Sequence, residues 1–195
     1  MSFRVEEKLL ISEKQILDFK KFLFSKKAKI IFPARKVQSL YFENFKDEMY
    51  SDSLEGIVPR KKIRVRNYPN DKNSHLYLEV KISSPDGRYK TRHIIDKNKF
   101  DNLKEVGIYD NQYGTCRPLI YVTYDREYYQ VDDVRISIDE NINYHLFSGR
   151  ELSQYGNNPI VELKTSIKKD RDDLLNAFPF QRTRFSKYCN AFEKV

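Results

Sequence analysis

Pairs of cationic residues two positions apart recur along this chain. In KKIRVRNY at residues 61–68, Arg64 and Arg66 alternate with the apolar Ile63 and Val65. Residues two apart on a strand share one face of the sheet. Guanidinium groups match phosphate oxygens bidentately, and lysine ammonium groups act as point charges toward the same anions. The spacing therefore predicts a strand that presents two guanidinium groups on one side, where they could bind phosphate.

Other segments, such as LYLEVKIS, VRISID and IVELKT, show the same alternation of charged and apolar residues. The charged phases hold Arg4, Glu6, Lys8, Lys62, Arg64, Arg66, Glu79, Lys81, Lys90, Arg92, Tyr124, Arg126, Arg135, Ser137, Asp139, Glu162 and Lys164. A sheet with one solvated face explains any single strand of this kind. The recurrence of arginine and carboxylate, where solvated faces usually also carry Ser, Thr, Asn and Gln, favours an enclosed charged face.

The elements that must position these residues follow from periodicity and turn residues. Strands are predicted over residues 3–11, 39–44, 61–68, 76–83, 89–95, 119–129, 134–139 and 160–165, with a tight turn at 85–88. Helices are predicted over residues 12–26, 97–106, 170–178 and 183–192. If the apolar phases face these helices, the charged phases must face inward. The sequence therefore predicts an α+β fold, a closed antiparallel β-barrel tunnel of about eight strands with peripheral helices. We expect one domain over residues 1–195.

A charged interior requires counter-charge, because an unpaired buried ion costs several kcal/mol. The net charge of +8 makes a polyanion the expected guest. The interleaved acids Glu6, Glu79, Asp139 and Glu162 would repel phosphate on their own. A divalent cation between carboxylate and phosphate removes this conflict, and Mn²⁺ or Mg²⁺ suits oxygen ligands. The sequence contains no cluster of His and Cys residues that would indicate a zinc site.

The composition limits which partners and which cellular location we expect for this protein. No apolar run approaches the roughly 20 residues of a membrane helix, and MSFRVEEKLLIS lacks the apolar stretch of a signal peptide. Cys116 and Cys189 are far apart and are expected to be free thiols. We therefore expect a cytoplasmic protein with no membrane segment in this chain. A basic chain with 14 Tyr and 13 Phe could also bind nucleic acid. The aromatic residues fall mainly in predicted cores, however, so no nucleic acid is expected as a partner.

In their order along the chain, the charged strands resemble the VTC domain of the CYTH-like, or triphosphate tunnel metalloenzyme, superfamily, in a stand-alone form. The matching segments are RVEEK, SLYFEN, KIRVRNY, LEVKIS, YVTYDREYY, VRISIDENI, IVELKT and FSKY. In that family a tunnel binds a triphosphate or polyphosphate, and a metal helps to transfer the terminal phosphoryl group of a nucleotide. The resemblance implies a metal-dependent polyphosphate polymerase that uses a nucleoside triphosphate and polyphosphate, with Mn²⁺ or Mg²⁺ as cofactor.

The resemblance also implies the site residues. The implied catalytic residues are all cationic: Lys8, Arg64, Arg66, Lys81, Arg126, Arg135 and Lys187. Glu162 matches the metal-binding glutamate of the family. Second-tier candidates for substrate binding lie on the same phases, namely Glu6, Glu79, Arg92, Tyr124, Asp139 and Lys164.

Two alternatives remain open at this point. One is a tunnel triphosphatase that hydrolyses inorganic or nucleoside triphosphate, and the other is a non-catalytic module that binds polyphosphate or an inositol phosphate. Hydrolytic relatives open with E-x-E-x-K, whereas this chain has R-x-E-x-K, with Arg4 at the first position. That change favours the polymerase. Eukaryotic polymerase chains also carry a regulatory domain and membrane helices, so we expect that a separate membrane or regulatory partner would supply such functions.

Overall fold

The computed structural model describes residues 4–85, 87–152, 156, 158–166 and 171–195. The strands are β1 Arg4–Leu10, β2 Lys29–Asn44, β3 Arg60–Asn67, β4 Leu76–Ser84, β5 Gly87–Ile95, β6 Ile108–Asp110, β7 Gly114–Val131, β8 Val134–Leu146 and β9 Ile160–Ser166. The helices are α1 Ile16–Ser25, α2 Glu48–Glu55, α3 Lys97–Val106, α4 Arg171–Ala177 and α5 Lys187–Phe192, and a 3-10 turn covers Glu13–Gln15. Phe3, Asp86 and Asp170, which belong to predicted elements, lie outside the described residues. No described helix is long and apolar enough to cross a membrane.

The strands form a mostly antiparallel sheet in the order β1-β9-β8-β7-β2-β3-β4-β5, with β6 paired to β7. The predicted closed barrel is wrong, because this order has two ends. Within the described ranges, β1 pairs with β9 and β5 pairs with β4, and neither end strand has a second neighbour. Alternation determines which side chains share a face, but it does not encode the tilt and stagger that closure requires. The exposed charges Arg88, Lys90 and Arg92 on β5 are typical of an edge strand that must avoid further pairing.

By their internal contacts, the residues fall into two compact units. Unit 1 comprises Met1–Arg35, Tyr124–Ile142 and Tyr155–Phe185. Unit 2 comprises Lys36–Thr123, Asn143–Gln154 and Ser186–Val195. The single domain expected over residues 1–195 stays a prediction.

In unit 1, helices cover the apolar phases of the strands. Leu9 of β1 pairs with Val161 of β9, and both side chains are fully buried. They belong to one core with Phe19 and Leu23 of α1 and Leu174 of α4. Burying each such side chain stabilises the fold by about 1.5–3 kcal/mol. Because the helices occupy this face, the charged phases of β1, β8 and β9 lie on the other one.

In unit 2 as well, the apolar and the charged side chains lie on opposite faces of the sheet. Leu40 and Phe42 of β2 and Ile63 of β3 share a core with Met49 of α2 and Leu103 of α3. All five side chains are at most 5% exposed. The intervening residues of β2, β3 and β4, which carry the predicted charges, lie on the opposite face because successive side chains on a strand alternate.

Candidate functional site

The charged face of unit 2 is built around Arg64. Across the sheet, Arg64 stands opposite Tyr41 of β2 and Glu79 of β4. Its Nε and Nη2 donate to Glu79 Oε2 at 2.8 and 2.6 Å, and its Nη1 donates to the Tyr41 hydroxyl at 2.8 Å. Arg64 is 8% exposed and Glu79 is 1% exposed. These bonds fix the plane of the guanidinium group, so that its orientation is set before any ligand arrives.

Glu79 is surrounded by cations. Lys90 Nζ lies 2.9 Å and Arg92 Nε 3.5 Å from Glu79 Oε1. Burial by itself would raise the pKa of Glu79, but Arg64, Arg66 and Lys90 hold that pKa far below its usual value. Glu79 therefore stays ionised and orders the cations around it.

A row of three lysines crosses the same face. Lys62 of β3 pairs with Lys81 of β4, and Lys81 pairs with Lys90 of β5. Like charges directly opposite each other on a sheet are destabilising. Lys62 Nζ also donates to the Ser186 hydroxyl at 3.0 Å. A row of like charges indicates a surface that is stabilised when an anion lies across it.

We call Lys62, Arg64, Arg66, Lys81, Lys90, Arg92 and Glu79 the basic face of unit 2. Arg66 is 8% exposed, and its Nε donates to the Ser39 hydroxyl at 3.0 Å. Tyr41 reports the potential at this face. Burial would raise the pKa of the Tyr41 phenol, but Arg64, Arg66 and Lys62 outweigh that effect and lower it. The positive charge of these three residues therefore outweighs the effect of burial on Tyr41.

One end of the basic face is supported by α5. Ser186 caps this helix by accepting a hydrogen bond from the Cys189 N–H. The Tyr188 ring lies 5.2 Å from the Tyr41 ring, and the Lys62 ammonium lies 5.1 Å from the Tyr188 ring centre. Lys187, predicted as a site residue, is the first residue of α5 and is half-buried.

A buried carboxylate joins α5 to α2. The Tyr188 hydroxyl donates to Glu43, which also accepts the backbone N–H groups of Asn44, Met49 and Tyr50 at 2.9, 3.1 and 3.0 Å. Burial, followed by the charge of Glu43, raises the pKa of Tyr188, so its hydroxyl keeps the proton that it donates. Tyr41, Glu43 and Tyr188 were not predicted as parts of the site. The alternation of positions 39, 41 and 43 in SLYFEN could have identified the first two.

Replacing Tyr188 by phenylalanine should lower the free energy of unfolding by about 1.5–3 kcal/mol, the usual value of a hydrogen bond to a charged group. Phe keeps the ring beside Tyr41 and Lys62 but leaves the buried Glu43 without one donor. Denaturant unfolding followed by circular dichroism measures the change. Tyr109→Phe, at a tyrosine that is 74% exposed, is the matched control and should change stability little. Equal stability of the two variants would contradict the proposed link between the helices.

Unit 1 holds a second buried ion pair. Arg126 donates from Nε and Nη2 to Asp139 Oδ1 and Oδ2 at 2.5 and 2.7 Å. The side chains are 14% and 1% exposed. The Arg126 guanidinium lies 5.1 Å from the Tyr124 ring centre. Burial alone would lower the pKa of Arg126, but Asp139, Tyr124 and Glu162 raise it well above its usual value. The guanidinium is thus permanently charged and held in one orientation.

Acids and bases alternate across the neighbouring strands of unit 1. Lys164 of β9 stands between Glu6 of β1 and Arg135 of β8, and Glu162 stands between Lys8 and Ser137. Lys164 Nζ lies 3.4 Å from Glu162 and 3.6 Å from Glu6. The Lys8 ammonium donates to the Phe185 carbonyl, and Arg135 is exposed. Together with Arg126 and Asp139, these residues form the mixed face of unit 1, which has four cations and three carboxylates.

The mixed face offers some, but not all, of the oxygen ligands that a divalent cation needs. Among the described residues, no group of three or more His, Cys, Asp and Glu could hold a metal by itself. Mg²⁺ is commonly bound by one or two carboxylates, with substrate phosphates and water completing its shell. Glu162 is 9% exposed, and the Ser137 hydroxyl directly opposite it is buried and has no hydrogen-bond partner among the described residues. Glu162, Glu6 and Ser137 therefore fit Mg²⁺ or Mn²⁺ that arrives with a phosphate ligand.

All fourteen predicted site residues lie in the described part of the chain. The basic face of unit 2 brings together Arg64, Arg66, Glu79, Lys81 and Arg92, and the adjoining α5 carries Lys187. The mixed face of unit 1 brings together Glu6, Lys8, Arg126, Arg135, Asp139, Glu162 and Lys164, with Tyr124 against Arg126. Lys62 and Lys90 were not predicted as site residues, although alternation placed them on the charged phases.

Comparisons with known proteins agree with this architecture. A family model described as the VTC domain matches residues 3–195. A candidate adenylate cyclase from Vibrio parahaemolyticus is 14% identical over 98% of both chains, with a TM-score of 0.64. A Hippeastrum candidate adenylyl cyclase, described as having a dominant triphosphatase activity, is 14% identical over 99% of this chain and 96% of its own, with a TM-score of 0.64. The Pyrococcus horikoshii protein PH1819 is 17% identical over 99% and 100%, with a TM-score of 0.60. At these identities the likeness concerns the fold alone, and no curated protein matches the sequence.

Proposed function

Because the chain belongs to the VTC domain family, as its motifs predicted, we propose that it is a cytoplasmic, metal-dependent polyphosphate polymerase. In the proposed reaction, an oxygen of the terminal phosphate of a polyphosphate chain attacks the γ-phosphorus of a nucleoside triphosphate. The bond from that phosphorus to the bridging oxygen breaks, and the nucleoside diphosphate leaves. The observation that carries the proposal is the basic face of unit 2, which has six cations and one carboxylate.

The basic face has the chemistry to hold a chain of phosphates. Arg64 and Arg66 would bind phosphate oxygens through their guanidinium forks, and the lysine row would neutralise further phosphates. Phosphoryl transfer needs mainly positioning and charge stabilisation from a protein. The attacking phosphate oxygen is already anionic, so the reaction requires no dedicated general base. Lys187, beside the face on α5, would neutralise the leaving phosphates.

The mixed face of unit 1 has the residues that would hold a metal. Glu162, with Glu6 and the Ser137 hydroxyl, would hold Mn²⁺ or Mg²⁺, and Arg126 and Arg135 would bind phosphate oxygens. When bound, the ion would neutralise negative charge on the phosphates and orient them. Asp139 and Tyr124 would keep Arg126 in position, and Lys164 would balance the charge of the two glutamates.

Glu162→Gln should lower turnover by at least about tenfold, since even residues that only support metal ligands are worth about 10–100-fold. The amide keeps the shape of the side chain but loses the charge that attracts the cation. Raising the Mn²⁺ concentration should restore part of the rate, which initial-rate assays over a metal titration measure. Glu7→Gln is the matched control, because Glu7 neighbours Glu6 on β1 but points to the opposite face. Unchanged rates in Glu162→Gln would contradict the assignment of Glu162.

A triphosphatase is the second candidate, favoured by the activity described for the Hippeastrum structure. The same cations would bind the triphosphate, but water would replace polyphosphate as the acceptor. Incubation with ATP and Mn²⁺ or Mg²⁺, followed by gel analysis of polymer and by assays of ADP and free phosphate, separates the candidates. The proposed polymerase should release one ADP for each phosphate added to the polymer. Free phosphate without polymer would indicate the triphosphatase, and binding without turnover would indicate a phosphate-binding module.

A further inference from the structure

An aromatic residue lies at the end of the basic face of unit 2, beside the turn from β3 to β4. Tyr77 of β4 stands directly opposite Arg66 of β3, so both side chains lie on the same face of the sheet. Its neighbours Leu76 and Leu78 pack against the core on the opposite face. The Tyr77 ring therefore adjoins a guanidinium group of the proposed phosphate site, although the proposed phosphoryl transfer gives this ring no role.

Three side chains contact the Tyr77 ring. The guanidinium of Arg92 lies over the ring, 3.5 Å from its centre. The rings of Tyr68 and His75 meet it edge-on, with centroid distances of 6.2 and 6.1 Å. We call Tyr68, His75, Tyr77 and Arg92 the aromatic cluster. Tyr68 and Tyr77 are half-buried, whereas His75 and Arg92 are exposed, so the cluster is supported by the protein and still open to a ligand.

The turn between the two strands holds the aromatic cluster in place. The Tyr68 N–H donates to the Ser74 hydroxyl at 2.8 Å, and the Tyr68 carbonyl accepts from the Asp71 N–H at 2.9 Å. The Ser74 N–H donates to the Asp71 carbonyl at 2.9 Å. His75 and Tyr77 follow this turn directly. The rings are therefore arranged before any ligand arrives, which lowers the entropy that binding must cost.

The chemistry of the aromatic cluster selects its occupant. Nucleobases stack on aromatic rings and on the planes of arginine guanidinium groups, whereas an inorganic phosphate chain has no ring to stack. Sites for single-stranded nucleic acid place successive bases on several aromatic side chains. Toward the other end of the basic face, Tyr41 and Tyr188 are only 5% and 3% exposed, so neither can stack a base. One stacking position beside a row of cations fits a single nucleotide.

We propose that the aromatic cluster binds the base of a nucleoside triphosphate, which stacks on the pair formed by the Tyr77 ring and the Arg92 guanidinium. The phosphates of that nucleotide continue from Arg66 along the basic face. This assignment rests on the proposed function, because it takes the basic face as the phosphate site. It makes a nucleoside triphosphate, rather than inorganic triphosphate, the preferred substrate.

The test compares the affinities of the full chain for ATP and for inorganic triphosphate, measured by isothermal titration without divalent metal so that ATP is not consumed. Tyr77→Leu removes the ring but keeps an apolar side chain. It should lower the ratio of ATP affinity to triphosphate affinity by about 5- to 150-fold, the value of one base–aromatic stack. A ring that only supports Arg92 would change both affinities alike and leave their ratio unchanged.

Tyr89→Leu is the matched control, because Tyr89 is a β5 tyrosine that is 44% exposed and points to the face opposite Lys90 and Arg92. Its ratio should equal that of the unaltered chain. As a second measurement, the fluorescence of 2-aminopurine riboside triphosphate, which stacking quenches, should fall when this nucleotide binds the unaltered chain and fall less with Tyr77→Leu.

The outcomes separate this site from the proposed function. If triphosphate binds but the two leucine variants have equal ratios, or if the bound fluorescent nucleotide is not quenched, the base site is overturned and the phosphate site stands. If the unaltered chain binds neither ATP nor triphosphate, both are overturned.

Discussion

Arg66→Ala is expected to weaken binding of inorganic triphosphate by about 10- to 150-fold, with a matching loss of turnover. A hydrogen bond to a charged group is worth about 1.5–3 kcal/mol, and 1.4 kcal/mol corresponds to a factor of ten. Arg66 is nearly buried on the basic face of unit 2, where its charge helps to lower the pKa values of Tyr41 and Glu79. Isothermal titration with inorganic triphosphate measures the binding.

Two further variants serve as references for the effect of Arg66→Ala. Arg66→Lys keeps the charge but loses the planar fork, so it should retain an intermediate affinity. Arg117→Ala removes an exposed arginine of β7 that donates to the Glu105 carbonyl at 3.2 Å, and it should bind triphosphate as the unaltered chain does. If Arg66→Ala and Arg117→Ala bind equally well, the basic face is not the phosphate site.

Arg126→Ala is expected to lower the free energy of unfolding by about 3–5 kcal/mol and to abolish most turnover. Removing one member of a buried ion pair leaves an uncompensated charge, here that of Asp139, which is 1% exposed. Urea denaturation followed by circular dichroism gives the stability, and initial rates with ATP give the activity. The activity should be measured well below the denaturation midpoint, so that unfolding does not contribute to the loss.

A compensating variant separates stability from function. Replacing both partners, by Arg126→Met with Asp139→Leu, removes the buried charges together and should recover much of the lost stability. It should not recover turnover, because the guanidinium proposed to bind phosphate is still absent. Recovery of turnover in this double variant would show that Arg126 acts only as a structural residue.

The arrangement of charges on the strands could be predicted from the periodicity of the sequence. Arg64, Arg66 and Glu79 were placed on one face because they alternate with Ile63, Val65 and other apolar residues, and the structure has them in that arrangement. The helix over residues 97–106 was also predicted with its observed bounds, since apolar spacing and Gly107 define its end. These features are local, because a strand or a helix turn fixes them within a few residues.

Features that depend on distant contacts could not be predicted. Closure of a sheet depends on the tilt and stagger of all its strands, so the alternation of β1 and β5 did not reveal that they are the ends of the strand order. Helix α2 was not predicted because N–H groups of its first turn donate to the carboxylate of Glu43, which precedes the helix. That carboxylate also accepts a hydrogen bond from the distant Tyr188. No pattern within residues 48–55 indicates such a partner.

The two faces differ in their balance of charge. The basic face of unit 2 has six cations and one carboxylate, so it attracts anions without help. The mixed face of unit 1 has four cations and three carboxylates, so a metal ion would strengthen its attraction for phosphate. We therefore expect that removing divalent metal would abolish turnover but leave part of the triphosphate affinity.

A crystal structure of the chain with inorganic triphosphate and Mn²⁺ would locate the phosphates, and so would show whether the basic face of unit 2 is the phosphate site. We expect phosphate oxygens within hydrogen-bond distance of Arg64 and Arg66, with the lysine row formed by Lys62, Lys81 and Lys90 alongside. Triphosphate bound at another surface, with those five cations still contacting only protein atoms and water, would contradict it.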